Sequence, residues 1–284
     1  MEKAQKYFQQ SNLAFMKASL IIAIYNNIPF LKAVLDSISY QTEKDIEIII
    51  AEDGENAEVK EFITHYPFEQ SWQHLTQKDE GWGKNKAMNR AVKASKADWL
   101  IFIDGDCVLH HRFIEMHLRY ADEKSVLAGK RVKLDKTGSD FVLENSLNIQ
   151  KLQKQLVKKL LFGKGSIRYI EEGIFISPDK LLGFIPGLRT LNHLTGSNMS
   201  FSKKAIQFIN GFDEDYHLPA VGEDLDLTWR FDAAGFKHQS VRNLAVQYHL
   251  QHKENWIDQN ENMVLYRNKQ RDNKYVCTNG LLKI

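Results

Sequence analysis

Residues 99–106 read Trp-Leu-Ile-Phe-Ile-Asp-Gly-Asp. An apolar run this short, ending in two carboxylates around a glycine, predicts a buried strand with charge at its carboxyl end. Open α/β sheets bind ligands just outside such strand ends. Neighbouring carboxylates repel each other without a cation, and Mg²⁺ and Mn²⁺ prefer oxygen ligands, so Asp104 and Asp106 are candidate metal ligands. The alternative is a polar turn after a strand, because Asp and Gly both favour turns.

Upstream of this strand the chain alternates short apolar runs with amphipathic stretches of helical period. Such β-α-β alternation predicts an α/β fold with a mainly parallel central sheet flanked by helices. The polar tips of its strands should gather along one edge of the sheet. The predicted strands are 18–25, 46–51, 73–77, 126–134 and 240–248, and the predicted helices follow Pro29 or span 56–65, 84–95, 110–122, 203–209 and 223–235.

The composition argues against several classes of protein. The chain has 284 residues, 43% hydrophobic and 26% charged, which is typical of a globular protein with one large or two small domains. A net charge of +2, without alternating aromatic and basic residues, argues against a nucleic-acid partner. Cys107 and Cys277 form no metal-ligand spacing and indicate a reducing compartment. Because no stretch is typical of a signal peptide or a membrane span, we expect a cytoplasmic protein.

Polar residues follow the first two predicted strands. Tyr25 and Asn26 end the first, and Asp53 follows the second within Glu-Asp-Gly. A carboxylate at such a tip can accept hydrogen bonds from a ribose hydroxyl or a base N–H. Strand-end turns use the same residues without any ligand. No helix opens with a phosphate-binding Gly-rich fingerprint, which argues against a dinucleotide oxidoreductase and a P-loop enzyme.

The stretch 80–91, Glu-Gly-Trp-Gly-Lys-Asn-Lys-Ala-Met-Asn-Arg-Ala, begins the helix before the metal-site strand. Its glycines permit close backbone approach, and a helix amino terminus favours an anion, so Lys84 could meet a diphosphate. The alternative is an ordinary solvated helix with Lys84, Lys86 and Arg90 pointing outward.

A second acidic group occurs at 222–231, Gly-Glu-Asp-Leu-Asp-Leu-Thr-Trp-Arg-Phe. Helical spacing places Glu223 and Asp224 at the amino end, on the side that faces the core. There the helix dipole should keep Asp224 ionised, as a general base requires. The alternative is that these charges only complement the dipole. Asp226 and Arg230 form an i, i+4 pair that we expect to be a modest surface ion pair.

Two further features are candidates for ligand contact. His249 follows a predicted strand and could complete a metal shell, with His252 as the alternate. The stretch 149–168 is basic and amphipathic, and no acidic residue interrupts it. It could rest on an anionic membrane surface, or it could cover the acceptor side of the cleft with its lysines in water.

Together these stretches resemble family 2 glycosyltransferases of the GT-A fold. The residues that carry the resemblance are Ala23-Ile-Tyr-Asn26, Glu52-Asp-Gly54, Gly83-Lys84 through Ala87-Met-Asn89, Asp104-Gly-Asp106 and Gly222-Glu-Asp-Leu-Asp-Leu227. The part from Gly196 to Asp224 is similar to the galactosyltransferase-type module of bacterial chondroitin-polymerase-like enzymes.

The resemblance implies a GT-A domain over 18–250, preceded by a leader (1–17) and followed by a helical tail (251–284). Within it, 18–134 would bind the nucleotide-sugar and 135–250 would supply the acceptor and catalytic side. The donor UDP-sugar would be bound by Tyr25, Asn26, Asp53, Lys84, Asn89 and Asp104.

The resemblance further implies Mn²⁺ or Mg²⁺ held by Asp104, Asp106 and His249. Asp224 would be the base of an inverting reaction, and Glu223 would contact the acceptor. The acceptor would be a glycan or a lipid-linked glycan in surface polysaccharide or lipopolysaccharide synthesis. The enzyme would then work in the cytoplasm, at most peripheral to the inner membrane face through 149–168.

The sequence departs from the family in a few places. Glu52 stands where Asp is usual, and Met88 where many members carry Arg. The Gln-x-x-Arg-Trp motif of processive synthases is missing, which favours addition of single sugars. Two alternatives are a non-catalytic nucleotide-sugar-binding module and a nucleotidyltransferase. The latter would need a Gly-rich basic loop after the first strand, where residues 25–29 read Tyr-Asn-Asn-Ile-Pro.

Overall fold

The computed structural model describes residues 16–145, 149–162, 167–219, 221–253 and 258–284. The leader expected over 1–17 therefore lies outside the described residues except at its last two positions. The strands are β1 Ala18–Ile24, β2 Ile46–Glu52, β3 Ser71–Leu75, β4 Trp99–Asp104, β5 Cys107–Leu109, β6 Ser125–Ala128, β7 Val132–Lys133, β8 Met199–Ser202, β9 Lys237–Ser240 and β10 Gln247–His249. The α-helices are α1 Ile28–Ser39, α2 Ala57–His65, α3 Lys84–Ala94, α4 Phe113–Arg119, α5 Lys136–Glu144, α6 Ile149–Phe162, α7 Ile185–Leu188, α8 Lys203–Phe208, α9 Asp226–Ala233 and α10 Asn260–Arg271.

A seven-stranded sheet with the order β3-β2-β1-β4-β8-β6-β9 forms the centre of the molecule. Strands β3, β2, β1 and β4 run parallel, β8 is antiparallel to β4 and β6, and β9 is parallel to β6. Buried apolar clusters cover both of its faces, as continuous apolar strands require. The predicted α/β fold with a mainly parallel sheet is confirmed.

A second sheet of three strands, β5-β10-β7, lies beyond the end of β4. Strand β10 pairs antiparallel with β5, so that His249 lies opposite Cys107. The amide of Leu250 then donates to the carbonyl of Asp106 at 2.9 Å. This pairing returns a segment from late in the chain to the acidic tip of β4.

We predicted one continuous strand over 126–134 and another over 240–248. Both predictions were wrong, because each segment is divided between two strands. Strands β6 and β9 belong to the large sheet, whereas β7 and β10 belong to the small one. The buried side chain of Asn198 holds both breaks, since its Nδ2 donates to the carbonyl of Lys130 at 2.8 Å and to that of Ala245 at 3.0 Å. Contacts between segments so distant in sequence leave no local periodicity to detect.

The expected surface ion pair of Asp226 and Arg230 was also wrong, because both side chains are completely buried. Their closest N–O distance is 3.2 Å, and the Tyr216 hydroxyl donates to Asp226 at 3.0 Å. The guanidinium also donates to the carbonyls of Ile209, Gly211 and Tyr275. These bonds compensate the buried charges and fix α9 against the preceding turn.

Helix α6 buries the apolar side of its first half, including Ile149, Leu152 and Leu156. That side packs on α5 and on the 3₁₀ helix Ile170–Gly173, while Leu160 and Leu161 remain exposed. Residues 163–166 of the predicted amphipathic stretch lie outside the described part. In that part, no helix combines the length and apolar character needed to span a bilayer.

The last residues of the chain return to the body of the protein. The amide of Leu281 donates to the carbonyl of Asn210 at 2.8 Å, and Cys277 is buried nearby. In α10, Lys269 pairs with the buried carboxylate of Asp213. The expected tail is thus a helix and a docked terminal segment, apart from residues 254–257, which the structure does not describe.

Candidate active site

The tip of β4 turns at Gly105. Its amide donates to the carbonyl of Ala23 at 2.8 Å, and a Cβ there would lie 2.5 Å from the side chain of Ile24. Only glycine permits this approach. The turn places the carboxylates of Asp104 and Asp106 at the edge of the sheet, each only partly exposed.

Asp106 lies beside two imidazoles. Its Oδ2 is 3.3 Å from His249 Nε2 and 3.0 Å from His252 Nε2. Burial alone would raise the pKa of Asp106, but the two histidines outweigh it and hold that pKa well below its ordinary value. The structure therefore brings both candidate histidines to this carboxylate rather than selecting one.

This cluster fits a divalent cation by the chemistry of its donors. Ligand atoms of Asp106, His249 and His252 all lie within 4.8 Å of one another, and Asp104, Asp106 and Cys107 form a second such group. Mixed carboxylate and imidazole donors suit Mn²⁺ better than Mg²⁺, which demands oxygen ligands. Burial raises the pKa of the adjacent Cys107 thiol well above its ordinary value, which favours its protonated form.

Lys84 joins the two acidic groups. Its Nζ lies 2.7 Å from Asp104 Oδ1 and 2.7 Å from Glu223 Oε2. Burial would lower the pKa of Lys84, but these two carboxylates raise it above the ordinary value, so the side chain stays charged. The alternative of an ordinary solvated helix with Lys84 pointing outward is therefore excluded.

Sequence reasoning missed Arg131. This residue lies between β6 and β7, and its guanidinium donates to Asp104 Oδ2 at 3.1 Å. Its positive charge favours the ionised forms of both Asp106 and Asp224, although burial acts more strongly on the pKa of each. No motif marked it, because its position depends on the break between the two sheets.

Glu223 and Asp224 lie in a single π-helical turn, Val221–Leu225, that precedes α9. Asn85 Nδ2 donates to the carbonyl of Gly222 at 3.1 Å, which ties this turn to the start of α3. Burial, and then the neighbouring charge of Glu223, raise the pKa of Asp224 to about 6. The helix dipole that we expected to keep Asp224 ionised is opposed by desolvation, which shifts the pKa of this carboxyl upward but leaves it below neutral pH.

The tips of the first two strands carry the other predicted nucleotide contacts. Asp53 accepts hydrogen bonds from Gly83 N at 2.7 Å and from Gln77 Nε2 at 2.8 Å. Tyr25 is largely exposed, and its hydroxyl donates to Asp79 at 2.8 Å. Tyr25, Asn26 and Asp79 are among the residues that line an open pocket of ≈ 380 Å³ at the ends of β1 and β2.

Asn89 and Glu52, unlike Tyr25, are buried and bonded within the protein. Asn89 is 1% exposed, and its amide exchanges hydrogen bonds of 2.8 Å with both the N–H and the carbonyl of Phe212. The structure therefore places it in the packing of α3, away from the pocket at the strand tips. Glu52 is fully buried and binds His74 at 2.6 Å and the amide of Asn56 at 2.7 Å, which fixes the loop after β2.

Residues 19–177, more than half of the chain, match the profile of Glycosyl transferase family 2. The chain belongs to this family. It is therefore a glycosyltransferase, and the nucleotidyltransferase alternative is excluded.

Among its relatives, the Escherichia coli chondroitin synthase is 26% identical over 241 residues, which cover 81% of this chain and 34% of that protein. The Pasteurella multocida hyaluronan synthase is 21% identical over 240 residues, which cover 81% of this chain and 24% of that protein. This chain thus spans about a third or less of the length of these two relatives.

Solved structures show the same GT-A fold. A mannosyltransferase from Pyrobaculum calidifontis, in complex with GDP-Man and Mn²⁺, superposes with a TM-score of 0.54 at 13% identity, over 96% of this chain and 68% of that one. TarS 1–349 of S. aureus, in complex with UDP-GlcNAc, gives a TM-score of 0.55 at 14% identity, over 84% of this chain and 60% of that one. At such identities the likeness extends to the fold alone.

Proposed function

We propose that this family 2 glycosyltransferase is a metal-dependent, inverting enzyme that moves a sugar from a UDP-sugar to a hydroxyl of a glycan acceptor. The observation that carries the proposal is the position of Lys84, within 2.7 Å of both Asp104 and Glu223. It joins a candidate cation site from the first half of the chain to a candidate base from the second half. Such convergence is what transfer between two bound substrates requires.

Asp224 is the proposed base. Its pKa of about 6 leaves it mostly ionised at neutral pH and still basic enough to accept a proton. The acceptor oxygen attacks the anomeric carbon as its proton passes to Asp224, and the bond from that carbon to the diphosphate oxygen breaks. The electron pair of that bond leaves with UDP, and attack from the opposite face inverts the anomeric centre. Glu223, fixed by Lys84, orients the acceptor.

The donor lies across the strand tips. Tyr25, Asn26 and Asp53 bind the uridine, and Lys84 and Arg131 add positive charge near Asp104, which contacts the ribose. Asp106, with His249 and His252, would hold the divalent cation, and Asp104 lies within its reach. When bound, this cation acts as a Lewis acid that stabilises the negative charge on the leaving diphosphate.

The proposed role is the addition of single sugars to a glycan or lipid-linked glycan in surface polysaccharide or lipopolysaccharide synthesis. The missing Gln-x-x-Arg-Trp motif supports single additions over processive synthesis. The names of the chondroitin and hyaluronan synthases support a glycan acceptor. A cytoplasmic location, with 149–168 near the membrane, remains part of the proposal.

The test is a reaction of the purified chain with a panel of UDP-sugars and GDP-mannose as donors and a panel of methyl glycosides as acceptors, in the presence of Mn²⁺. We expect release of UDP from one UDP-sugar, and a product whose anomeric configuration, read by proton NMR, is opposite to that of the donor. Retention of configuration, or transfer from GDP-mannose alone, would contradict the proposal.

A further inference from the structure

Helix α4 carries a histidine, His117, that none of the roles proposed above uses. Its side chain is completely buried. Its Nδ1 lies 2.8 Å from Ser200 Oγ, and its Nε2 lies 3.1 Å from Asn198 Oδ1. Burial lowers the pKa of this imidazole to about 3, so the ring is neutral at physiological pH. A neutral imidazole offers one N–H donor and one acceptor nitrogen, so its two hydrogen bonds must run in a single direction.

The orientation of the buried Asn198 amide fixes that direction. Its Nδ2 donates to the carbonyls of Lys130 at 2.8 Å and Ala245 at 3.0 Å. Rotating the amide by 180° would place its oxygen against both carbonyl oxygens. Asn198 Oδ1 therefore faces the imidazole, and since it can only accept, the ring proton lies on Nε2 of His117. The Ser200 hydroxyl then donates to Nδ1, so that both ring nitrogens are paired.

The backbone next to this amide leaves it little space to move. A Cβ at Gly129 would overlap the amide group of Asn198, so a larger residue there would displace the side chain. The amide of Gly129 also donates to the backbone carbonyl of Asn198 at 2.9 Å. The segment that leads to Arg131 is therefore held against Asn198 by both backbone and side-chain hydrogen bonds.

The Lys130 carbonyl that Asn198 binds leads directly into the proposed active site. It belongs to the same planar peptide group as the amide of Arg131, so a bond that fixes one also fixes the other. From this position the Arg131 guanidinium donates to Asp104 Oδ2 at 3.1 Å. His117 is thus connected to a side chain of the donor site through one amide and one peptide plane.

We propose that His117 is a positioning residue for the donor site. It orients the Asn198 amide, which holds the peptide group between Lys130 and Arg131 and so directs the Arg131 guanidinium toward Asp104 and the diphosphate. The inference rests on the proposed function, because it takes Arg131 to attract a diphosphate. A residue that only supported the fold would contribute to stability without changing the affinity for UDP.

The test uses the full chain and calorimetric titration of UDP without added metal. His117→Leu removes both ring nitrogens, and we expect it to weaken UDP binding about tenfold, as loss of a supporting hydrogen bond typically does. His117→Gln should stay within about threefold of wild type, because its amide can still donate to Asn198 and accept from Ser200. The matched control His110→Leu also removes a buried imidazole, shortly before α4, and should stay within about twofold.

A shorter substitution keeps the test decisive if His117→Leu does not fold. The amide of His117→Asn reaches the position of Nδ1, beside Ser200, but not that of Nε2, beside Asn198. It should therefore weaken UDP binding as His117→Leu does. Equal UDP affinities for His117→Asn and His117→Gln would overturn the inference.

A double-mutant cycle connects the effect to Arg131. Arg131→Met should itself weaken UDP binding, and adding His117→Leu to it should then change the affinity by less than about twofold. In the nucleotide-free chain labelled with ¹⁵N, the Nε–H signal of Arg131 should shift in His117→Leu and stay in place in His110→Leu.

The positioning role is overturned if the Arg131 signal is the same in wild type and His117→Leu. It is also overturned if His117→Leu weakens UDP binding equally in the presence and absence of Arg131. The nucleotide-free signal separates the two proposals. Failure of the wild-type chain to bind UDP counts against the proposed function, whereas the Arg131 signal remains readable for the role of His117.

Discussion

Asp106 and Asp224 are carboxylates from distant parts of the chain that share the influence of Arg131, yet their surroundings act on them in opposite directions. Two imidazoles within 3.3 Å hold the pKa of Asp106 well below its ordinary value. Burial and the charge of Glu223 raise the pKa of Asp224 to about 6. Opposite shifts within one site are typical of groups with separate tasks. The first environment suits a cation ligand, and the second suits a base.

The largest expected effect tests the base. Asp224→Asn removes the proton acceptor, and we expect transfer to fall by roughly 10²–10⁴-fold, the usual contribution of general base catalysis. UDP release from the preferred donor measures the rate. The matched control is Asp232→Asn on the exposed side of α9, which should stay within twofold of wild type. An active Asp224→Asn enzyme would remove the distinction between the two carboxylates.

The second prediction contrasts Asp224 with Asp226, which lies two residues further on and is completely buried with Arg230. Arg230→Met leaves a buried carboxylate without its cation, and we expect a loss of about 3–5 kcal/mol in the free energy of unfolding. Urea denaturation measures the loss. The control Arg271→Met, on the exposed end of α10, should change stability by at most about 0.5 kcal/mol. Equal losses of stability in Arg230→Met and Arg271→Met would mean that the buried ion pair contributes no more to stability than an exposed arginine.

The third prediction concerns the proposed cation site and compares its two histidines. His249 is nearly buried, with 6% of its side chain exposed, whereas 37% of the His252 side chain is exposed. Loss of the more desolvated donor should matter more, so His249→Ala should raise the Mn²⁺ concentration for half-maximal activity roughly tenfold or more. We expect a smaller shift for His252→Ala. A Mn²⁺ titration of activity measures both shifts. A larger shift for His252→Ala than for His249→Ala would make His252 the more important metal ligand.

The smallest expected effect is a shift in pH dependence. A base with a pKa of about 6 must be ionised, so kcat should be flat above that pH and fall about tenfold per unit below it. Glu223→Gln removes the neighbouring charge that raises this pKa, and the inflection should move to lower pH. A pH–rate profile at saturating substrate measures both inflections. An inflection that stays in place would mean that another group controls the rate.

Local patterns predicted the elements that bear the donor side. Strands β1, β2 and β4 are nearly continuous apolar runs, interrupted only by Ser19 and Glu47, and their polar tips meet because parallel strands end at one edge. The helix that begins at Lys84 was equally clear from its glycines and spacing. Each of these features depends on residues that are close in sequence, which is why the sequence alone predicts them.

Features that depend on distant contacts could not be predicted. Asn198 breaks two strands by binding the carbonyls of Lys130 and Ala245, and that break in turn positions Arg131. The i, i+4 spacing of Asp226 and Arg230 is the same on a surface as in a core, so only the fold reveals that the pair is buried. The raised pKa of Asp224 likewise follows from packing rather than from its position at a helix start.

The central claim is that Asp106 binds the cation and Asp224 acts as the base. The most direct test is calorimetric titration of UDP, with and without Mn²⁺, into the Asp106→Asn and Asp224→Asn variants. The account predicts that Asp224→Asn binds UDP as the wild type does and keeps the gain from Mn²⁺. Asp106→Asn should lose that gain, with UDP affinity at least tenfold weaker than wild type in Mn²⁺. Equal UDP affinities for the two variants in Mn²⁺ would contradict it.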